Sequence, residues 1–247
     1  MKPADRIKHI VQWIKDYCGS MDKKPDCLVV GVSGGIDSAV VSTLSAMTGI
    51  NTKVLSMPIR QLKSLDDLSK AQLQWLKTKF KNVDDIIVNL DDVFQAFEKQ
   101  LSKFNSELAF ANSRARLRMA TLYQVAGANN GIVVGTGNKV EDFGVGFYTK
   151  YGDGGVDISP IADCMKSQVW EMGRELGLLK EIIDAPPTDG LWADGRTDES
   201  QLGMSYHELE KAMVDPSDKN HKKYLAIRKK NLHKMNSIPV CKFEDND

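Results

Sequence analysis

The sequence predicts an α/β protein with a doubly wound parallel sheet in three layers, followed by a helical C-terminal part. Three observations lead there. Short Val- and Ile-rich runs alternate with longer segments of helical period, which implies right-handed crossovers and a parallel sheet covered on both faces. The first such run, Leu28-Val29-Val30-Gly31-Val32, breaks into Ser33-Gly34-Gly35 and then directly into an apolar helix. At 247 residues the chain is long enough to bury a large core, and residues 1–247 read as one domain.

In order, Ile7, Ile10, Val11, Ile14 and Tyr17 recur at helical spacing and predict an opening amphipathic helix. The Leu28 run is the first strand, with Ala39 to Leu44 as the apolar face of the helix after it. Thr52 to Met57, stopped by Pro58, is a second strand. Leu65 to Phe80 is a helix with Leu68, Leu73 and Leu76 inward. Asp85 to Leu90 is a third strand, Val93 to Leu101 a short helix, Ala111 to Ala128 a long one, and Gly131 to Gly135 a fourth strand. Residues 144–155 are rich in glycine and aromatics and read as ordered loops. Lys166 to Leu179 reads as a helix and residues 185–199 as a long polar loop, a length that marks either a lid or a disordered segment. Tyr206 to Met213 and Lys222 to Met235 supply terminal helices, and residues 244–247 a frayed tail.

Composition excludes several function classes. The 33 basic and 33 acidic residues cancel, which leaves no electrostatic footprint for nucleic acid or an anionic membrane. No apolar run approaches a bilayer span, and Met1 to Arg6 is too polar for a signal peptide. Cys18, Cys27, Cys164 and Cys241 are scattered without a CxxC pair or a histidine at metal spacing, the pattern of core thiols in a reducing cytoplasm.

The glycines between the first strand and its helix let backbone N–H groups approach an anion where the helix dipole favours negative charge. Ser33 and Ser38 add hydroxyl donors. Asp37 is out of place in such a nest unless a divalent cation lies between it and the phosphates, so its presence implies Mg²⁺. Gly135-Thr136-Gly137 invites comparison with the dinucleotide fingerprint, but Val140 stands where the third glycine belongs.

The run Ser33-Gly34-Gly35-Ile36-Asp37-Ser38 resembles the SGGxDS pyrophosphate loop of the ATP pyrophosphatases, which cleave ATP between the α and β phosphates; the Gly-Lys-Ser/Thr ending of a Walker A loop is absent. Within that group, Asn112 to Met119, Gly135 to Glu141 and Gly146 to Asp157 all resemble NAD synthetases. So do Pro187-Thr188, Asp198-Glu199 with Leu202-Gly203, and His233-Lys234. The resemblance runs from residue 28 to about 240 in the family's order, and the FYTKYGDGG run is its most specific part.

That resemblance implies an adenine nucleotide alpha-hydrolase-like, Rossmann-like fold. It also implies amidation of deamido-NAD by ammonia through an adenylate, with release of AMP and pyrophosphate. Asp37 and Glu141 match the family's Mg²⁺ ligands. Gly31, Val32, Ser33, Gly34, Gly35, Ile36, Asp37, Ser38, Arg60, Thr136, Lys166 and Thr188 match positions that contact ATP, with a surface arginine as the competing reading of Arg60. Arg116, Lys150, Asp157, His233 and Lys234 match the deamido-NAD positions. Arg114, Arg116 and Arg118 step about 200° apart on one helix, so not all can face one ligand; Arg114 and Arg118 are left to structural or dimer contacts. The loop from Leu191 to Glu199 fits a lid excluding water from the adenylate, with Asp198 and Glu199 as candidates to take a proton from ammonia.

Two rival readings are weaker. A tRNA-modifying pyrophosphatase needs a reactive cysteine pair and a basic surface, and neither is visible. A regulatory nucleotide-binding module would have no need of Asp37, Glu141, Lys150 and His233 together. Only 27 residues precede the first strand, too few for a glutaminase, so the chain reads as ammonia-dependent unless a separate subunit feeds it. The family implies a homodimer with the dinucleotide site at the interface.

Overall fold

The computed structural model describes residues 1–188, 190–192 and 195–243. Four parallel strands, β1 (Cys27–Gly31), β2 (Asn51–Ser56), β3 (Val83–Ile87) and β4 (Gly131–Val133), lie in the order β3-β2-β1-β4. The chain winds outward through β2 and β3, then returns to place β4 on the other side of β1. Strand order therefore reverses between β1 and β4, and a crevice opens at their carboxyl ends.

Side chains alternate across the strands, and both faces are buried. Leu28 and Val30 of β1, with Ile132, pack against α1 (Pro3–Ser20), α2 (Ile36–Met47) and α6 (Lys166–Glu175), through Ile7, Ile10, Ile14, Val40, Val41, Leu44, Val169 and Met172. Val54, Leu73, Leu76 and Val83 extend that layer under α3 (Lys63–Lys79). On the opposite face Cys27, Val29, Leu55 and Val133 meet Phe94 of α4 (Asp91–Gln100) and Met119, Leu122 and Ala126 of α5 (Glu107–Ala128). The short helix α7 (Lys180–Ile183) follows α6, and a separate cluster forms the helical C-terminal part. There Val140 and Val145 pack with Leu202, Tyr206, Leu209 and Tyr224 of α8 (Asp198–Leu202), α9 (Tyr206–Val214) and α10 (His221–Met235).

Several boundaries differ from the expectation, each for a local reason. Tyr17 is exposed and stacks on Trp13 at 5.8 Å, while Cys18 takes the buried place. Strand β3 runs from Val83, paired with Thr52, rather than from Asp85, and stops at Ile87 opposite Ser56, the last residue of β2. Helix α5 starts four residues earlier, where Ser106 caps the amide of Ala109. The helix expected to reach Leu179 ends at Glu175, with Gly177 in the left-handed region just beyond it. Residues Lys139–Val145, read as strand-end loop, form a π-helical turn. Leu68 is only partly buried; Ser69 and Gln72 are the inward polar residues of α3, bonded to Val32 and Ala39 at the start of α2. Of the cysteines, Cys18, Cys27 and Cys164 are buried and Cys241 is exposed; none of the four is in a disulfide. Among the described residues no helix is long and apolar enough to cross a membrane.

Leu44 is wholly inaccessible on the inner face of α2. Leu44→Ala is expected to cost about 3 kcal/mol of stability, read as a lowered Tm, while activity below the melt is retained, because the cavity forms behind the strand-end loop.

Candidate active site

The loop after β1 takes its shape from two glycines. Gly34 has φ +92°, and a Cβ there would fall 2.6 Å from the Leu65 carbonyl, so no side chain fits. Gly35 is the extended residue that starts α2, which leaves the first-turn amides of Ile36, Asp37 and Ser38 without helical acceptors. The Ser38 hydroxyl donates to Gly35 O at 2.9 Å and accepts from Ser33 N at 3.2 Å. Gln61 holds Ser33 O from outside. The result is a preformed turn of backbone donors at a helix N-terminus.

A cavity of about 250 Å³ sits on this turn, at the point where strand order reverses. Residues 31–38 form its floor, Gly135, Thr136 and Gly137 close it from the β4 end, and Pro187, Thr188, Gly190 and Leu191 form a wall. Lys166, at the first turn of α6, projects between two carboxylates: its Nζ lies 2.5 Å from Asp37 Oδ2 and 2.8 Å from Glu141 Oε1. Asn138 donates to Asp37 Oδ1 at 3.1 Å, and its own oxygen accepts from the amides of Val140 and Glu141. Tyr206 donates to Glu141 Oε1 at 2.5 Å. Four separate segments thus converge on one acid pair.

The electrostatics follow from burial. Burial lifts the Asp37 carboxyl above the ordinary aspartate value, against the pull of Lys166. Burial would lift Glu141 as well, but the Lys166 ammonium and the hydrogen bonds from Lys166 and Tyr206 bring it below its ordinary value. Burial works against the Lys166 ammonium, yet the two carboxylates together raise it. Tyr206 is raised too, by burial and then by Glu141 and Asp198. Asp142 is different. Its carboxyl is tucked under Gly137, where a Cβ would meet Oδ2 at 1.8 Å, and this explains the second glycine of Gly-Thr-Gly. Burial, with Asp153, Glu141 and Asp37 nearby, pushes it well above the ordinary range.

A second, shallower cleft of about 540 Å³ is lined by Arg116, Tyr123, Tyr148, Lys150, Tyr151 and Lys234 among others. Arg116 donates to Lys150 O at 3.2 Å, and Lys234 donates to Tyr148 O at 2.8 Å. Burial lowers the Lys234 ammonium, opposed by Asp153 and Asp142. Met119 and Val156 border both cavities.

Ser33 to Ser38, Thr136, Glu141, Lys166 and Thr188 meet at the first cavity, and Arg116, Lys150 and Lys234 at the second. Arg60 is not among the lining residues: it has φ +47°, its guanidinium pairs with Glu98 at 2.6 Å, and its amide donates to Asp91. Asp157 sits behind the second cleft, accepting from Val133 N and from the Tyr123 hydroxyl, which burial and this carboxylate push up to about 12. His233 contributes its carbonyl, which accepts from Lys150. Of the two lid acids, Asp198 is buried at the cavity edge and accepts from the Tyr206 hydroxyl at 3.2 Å, whereas Glu199 accepts from the Tyr206 amide. Both stand in α8; Ala193 and Asp194 of the expected lid lie outside the described residues.

Tyr206 and Asn138 had no role in the sequence reading, and Arg114 and Arg118 were left to structural or dimer contacts. Arg118 lines the first cavity and donates to Met57 O, while Arg114 lies over Phe94 and donates to Leu191 O. Tyr206 and Asn138 reach the acid pair from distant segments. The legible signal for Tyr206 was the capping box Ser205–Glu208 that starts its helix, and for Asn138 its place as an amide-accepting cap just before Glu141.

A parallel sheet with an anion-binding turn at its switch point, faced by buried carboxylates and a lysine, defines a nucleotide-handling α/β enzyme. The family model for NAD synthase matches residues 6–245, and the chain belongs to that family, as a carbon–nitrogen ligase of NAD biosynthesis. It is 37% identical over 210 residues to the NH3-dependent NAD⁺ synthetase of Carboxydothermus hydrogenoformans, covering 83% of each chain. It is 36% identical to that of Mesoplasma florum over 98% of each. Among solved structures, the NMN synthetase of Francisella tularensis superposes with a TM-score of 0.89 at 32% identity, over 98% of this chain and 100% of that one.

The charge on Asp142 gives a stability test. The folded chain holds a proton that the unfolded chain releases above the ordinary aspartate value, so this site stabilises at low pH and loses that contribution as pH rises. With a chelator present, Asp142→Asn is expected to melt above the parent at pH 7, the gap closing as the pH is lowered toward about 4.

Proposed function

We propose that the protein uses ATP to amidate deamido-NAD with ammonia, giving NAD, AMP and pyrophosphate. The observation that carries this reading is the Asp37–Glu141 pair set beside the amide-lined turn at the N-terminus of α2. In the first half-reaction a nicotinate carboxylate oxygen bonds to the α-phosphorus and the bond to the β-phosphate bridging oxygen breaks, with the electron pair leaving on pyrophosphate. In the second, ammonia attacks the acyl carbon, AMP departs with the bridging oxygen, and the nitrogen gives up a proton.

The turn amides, Ser33 and Ser38 would hold the leaving pyrophosphate, and Lys166 would add positive charge as it departs. Arg116, Lys150 and Lys234 supply the cationic cleft for the dinucleotide phosphates, with tyrosine rings beside them. The wall of Pro187, Thr188, Gly190 and Leu191 limits water at the reacting centre, which favours amide formation over hydrolysis.

The residues also fit Mg²⁺. Asp37 and Glu141 present hard oxygen donors that already converge on one cationic group. Among the described residues no group of three or more acids, histidines or cysteines is placed to hold a metal, which suits an ion that takes two carboxylates and completes its shell with phosphates and water. When bound, Mg²⁺ spreads the charge on the polyphosphate. We propose further that residues 1–247 act as a single domain in the cytoplasm and pair as a homodimer, with Tyr123 and Tyr151 exposed beside the second cleft.

A second reading, amidation of the pyridine mononucleotide, is favoured by the likeness to the Francisella chain described as an NMN synthetase. One experiment decides between them: products and kcat/KM are compared for the dinucleotide and mononucleotide acids with ATP, Mg²⁺ and ammonium. Stoichiometric NAD, AMP and pyrophosphate from a dimeric preparation support the first reading. Preference for the mononucleotide acid supports the second, and formation of ADP excludes both.

Arg116→Ala is expected to raise KM for the pyridine nucleotide by about tenfold or more while KM for ATP stays nearly constant, since removing a charge-assisted contact costs about 1.5–3 kcal/mol. Steady-state kinetics with each substrate varied in turn will check this separation of the two cavities.

A further inference from the structure

We propose that Lys166 acts as an internal stand-in for the divalent cation, holding the Asp37–Glu141 pair until nucleotide and metal arrive together and then ceding the position. The inference rests on the reading that this acid pair binds Mg²⁺. It adds that the lysine and the ion compete for the same oxygens.

The Nζ of Lys166 is within 2.5 Å of Asp37 Oδ2 and 2.8 Å of Glu141 Oε1, and its side chain is only 2% exposed. Asn138 ties Asp37 Oδ1, so the oxygen this acid offers is Oδ2, the one on the ammonium, and at Glu141 the ammonium shares Oε1 with the Tyr206 hydroxyl. A divalent ion that takes Asp37 Oδ2 therefore competes with the ammonium for that oxygen. Without the lysine, two buried negative charges would face each other unneutralised. With it, the cluster keeps one net negative charge, which disfavours a polyphosphate. After exchange the ion neutralises both acids, and the freed ammonium adds one net positive charge beside the turn of amides.

The lysine has somewhere to go. Its flexible four-carbon stem starts at the first turn of α6, and Lys166 lines the open cavity. Its Nζ lies 4.9 Å from the Tyr206 ring centroid and 5.9 Å from that of Trp170, so aromatic faces border its path. Metal and polyphosphate thus bind as a coupled pair. Each draws the lysine or its competitor into the arrangement the other needs, and the coupling is reciprocal.

The test uses Mn²⁺ binding followed by electron paramagnetic resonance, with no turnover. Without nucleotide, Lys166→Met is expected to bind Mn²⁺ on the order of tenfold more tightly than the parent. Inorganic pyrophosphate is expected to tighten Mn²⁺ binding to the parent by a similar factor and to the variant far less. Equal affinity of parent and Lys166→Met overturns the exchange. Adding Glu141→Gln to Lys166→Met separates the two readings: loss of Mn²⁺ binding upholds the acid pair as the metal site, and unchanged binding removes it. Should Lys166→Met fail to fold in a chelator, Mg²⁺ is expected to restore its cooperative melt, and no restoration counts against the proposal.

Discussion

The structure depends on one buried cation. The Lys166 ammonium joins the helix after β1, the π-helical turn after β4 and the start of α6, segments carrying Asp37, Glu141 and Lys166 itself. Burying any of these charges alone would cost several kcal/mol, and each is tolerable only because the others compensate it. That requirement fixes how the sheet, the C-terminal helices and the switch-point crevice come together.

Around that centre the remaining contacts are supports. Asn138 orients one carboxylate while capping the turn that carries the other, and Tyr206 reaches across from α9 to Glu141. From α10, Arg228 donates to the carbonyls of Phe143 and Gly144, and Asn231 to that of Val145, so the irregular turn behind Glu141 is held by side chains where helical bonds are lost. Asp198 ties Tyr206 to the segment that walls the first cavity. The two cavities share Met119 and Val156 as lining residues.

Much of this was legible before folding. Val-rich runs, the break at Gly34-Gly35 and the helical period of α1, α3 and α5 mark the sheet, its turn and its cover, since period and glycine placement are local properties. The π-helical turn was not legible, because its carbonyls are held by side chains of α10, far along the chain. Arg60 and His233 were named as site residues through the family resemblance, and what they bond is set by distant partners, Glu98 for the Arg60 guanidinium and Lys150 for the His233 carbonyl. Arg118 turns from a structural guess into a cavity wall because Met57, on the adjacent strand end, accepts its Nε proton.

The sequence by itself determined the class of fold, the anion-binding turn and the chemistry its residues can support, because each follows from residue type and spacing over a few neighbours. Only the tertiary structure decided which charges share one buried space, which of Asp198 and Glu199 faces the cavity, and which of three arginines on α5 reaches which cleft. Those outcomes depend on low-dielectric contact between segments more than a hundred residues apart, such as Asp37 and Lys166, and no local pattern encodes a distance of that kind.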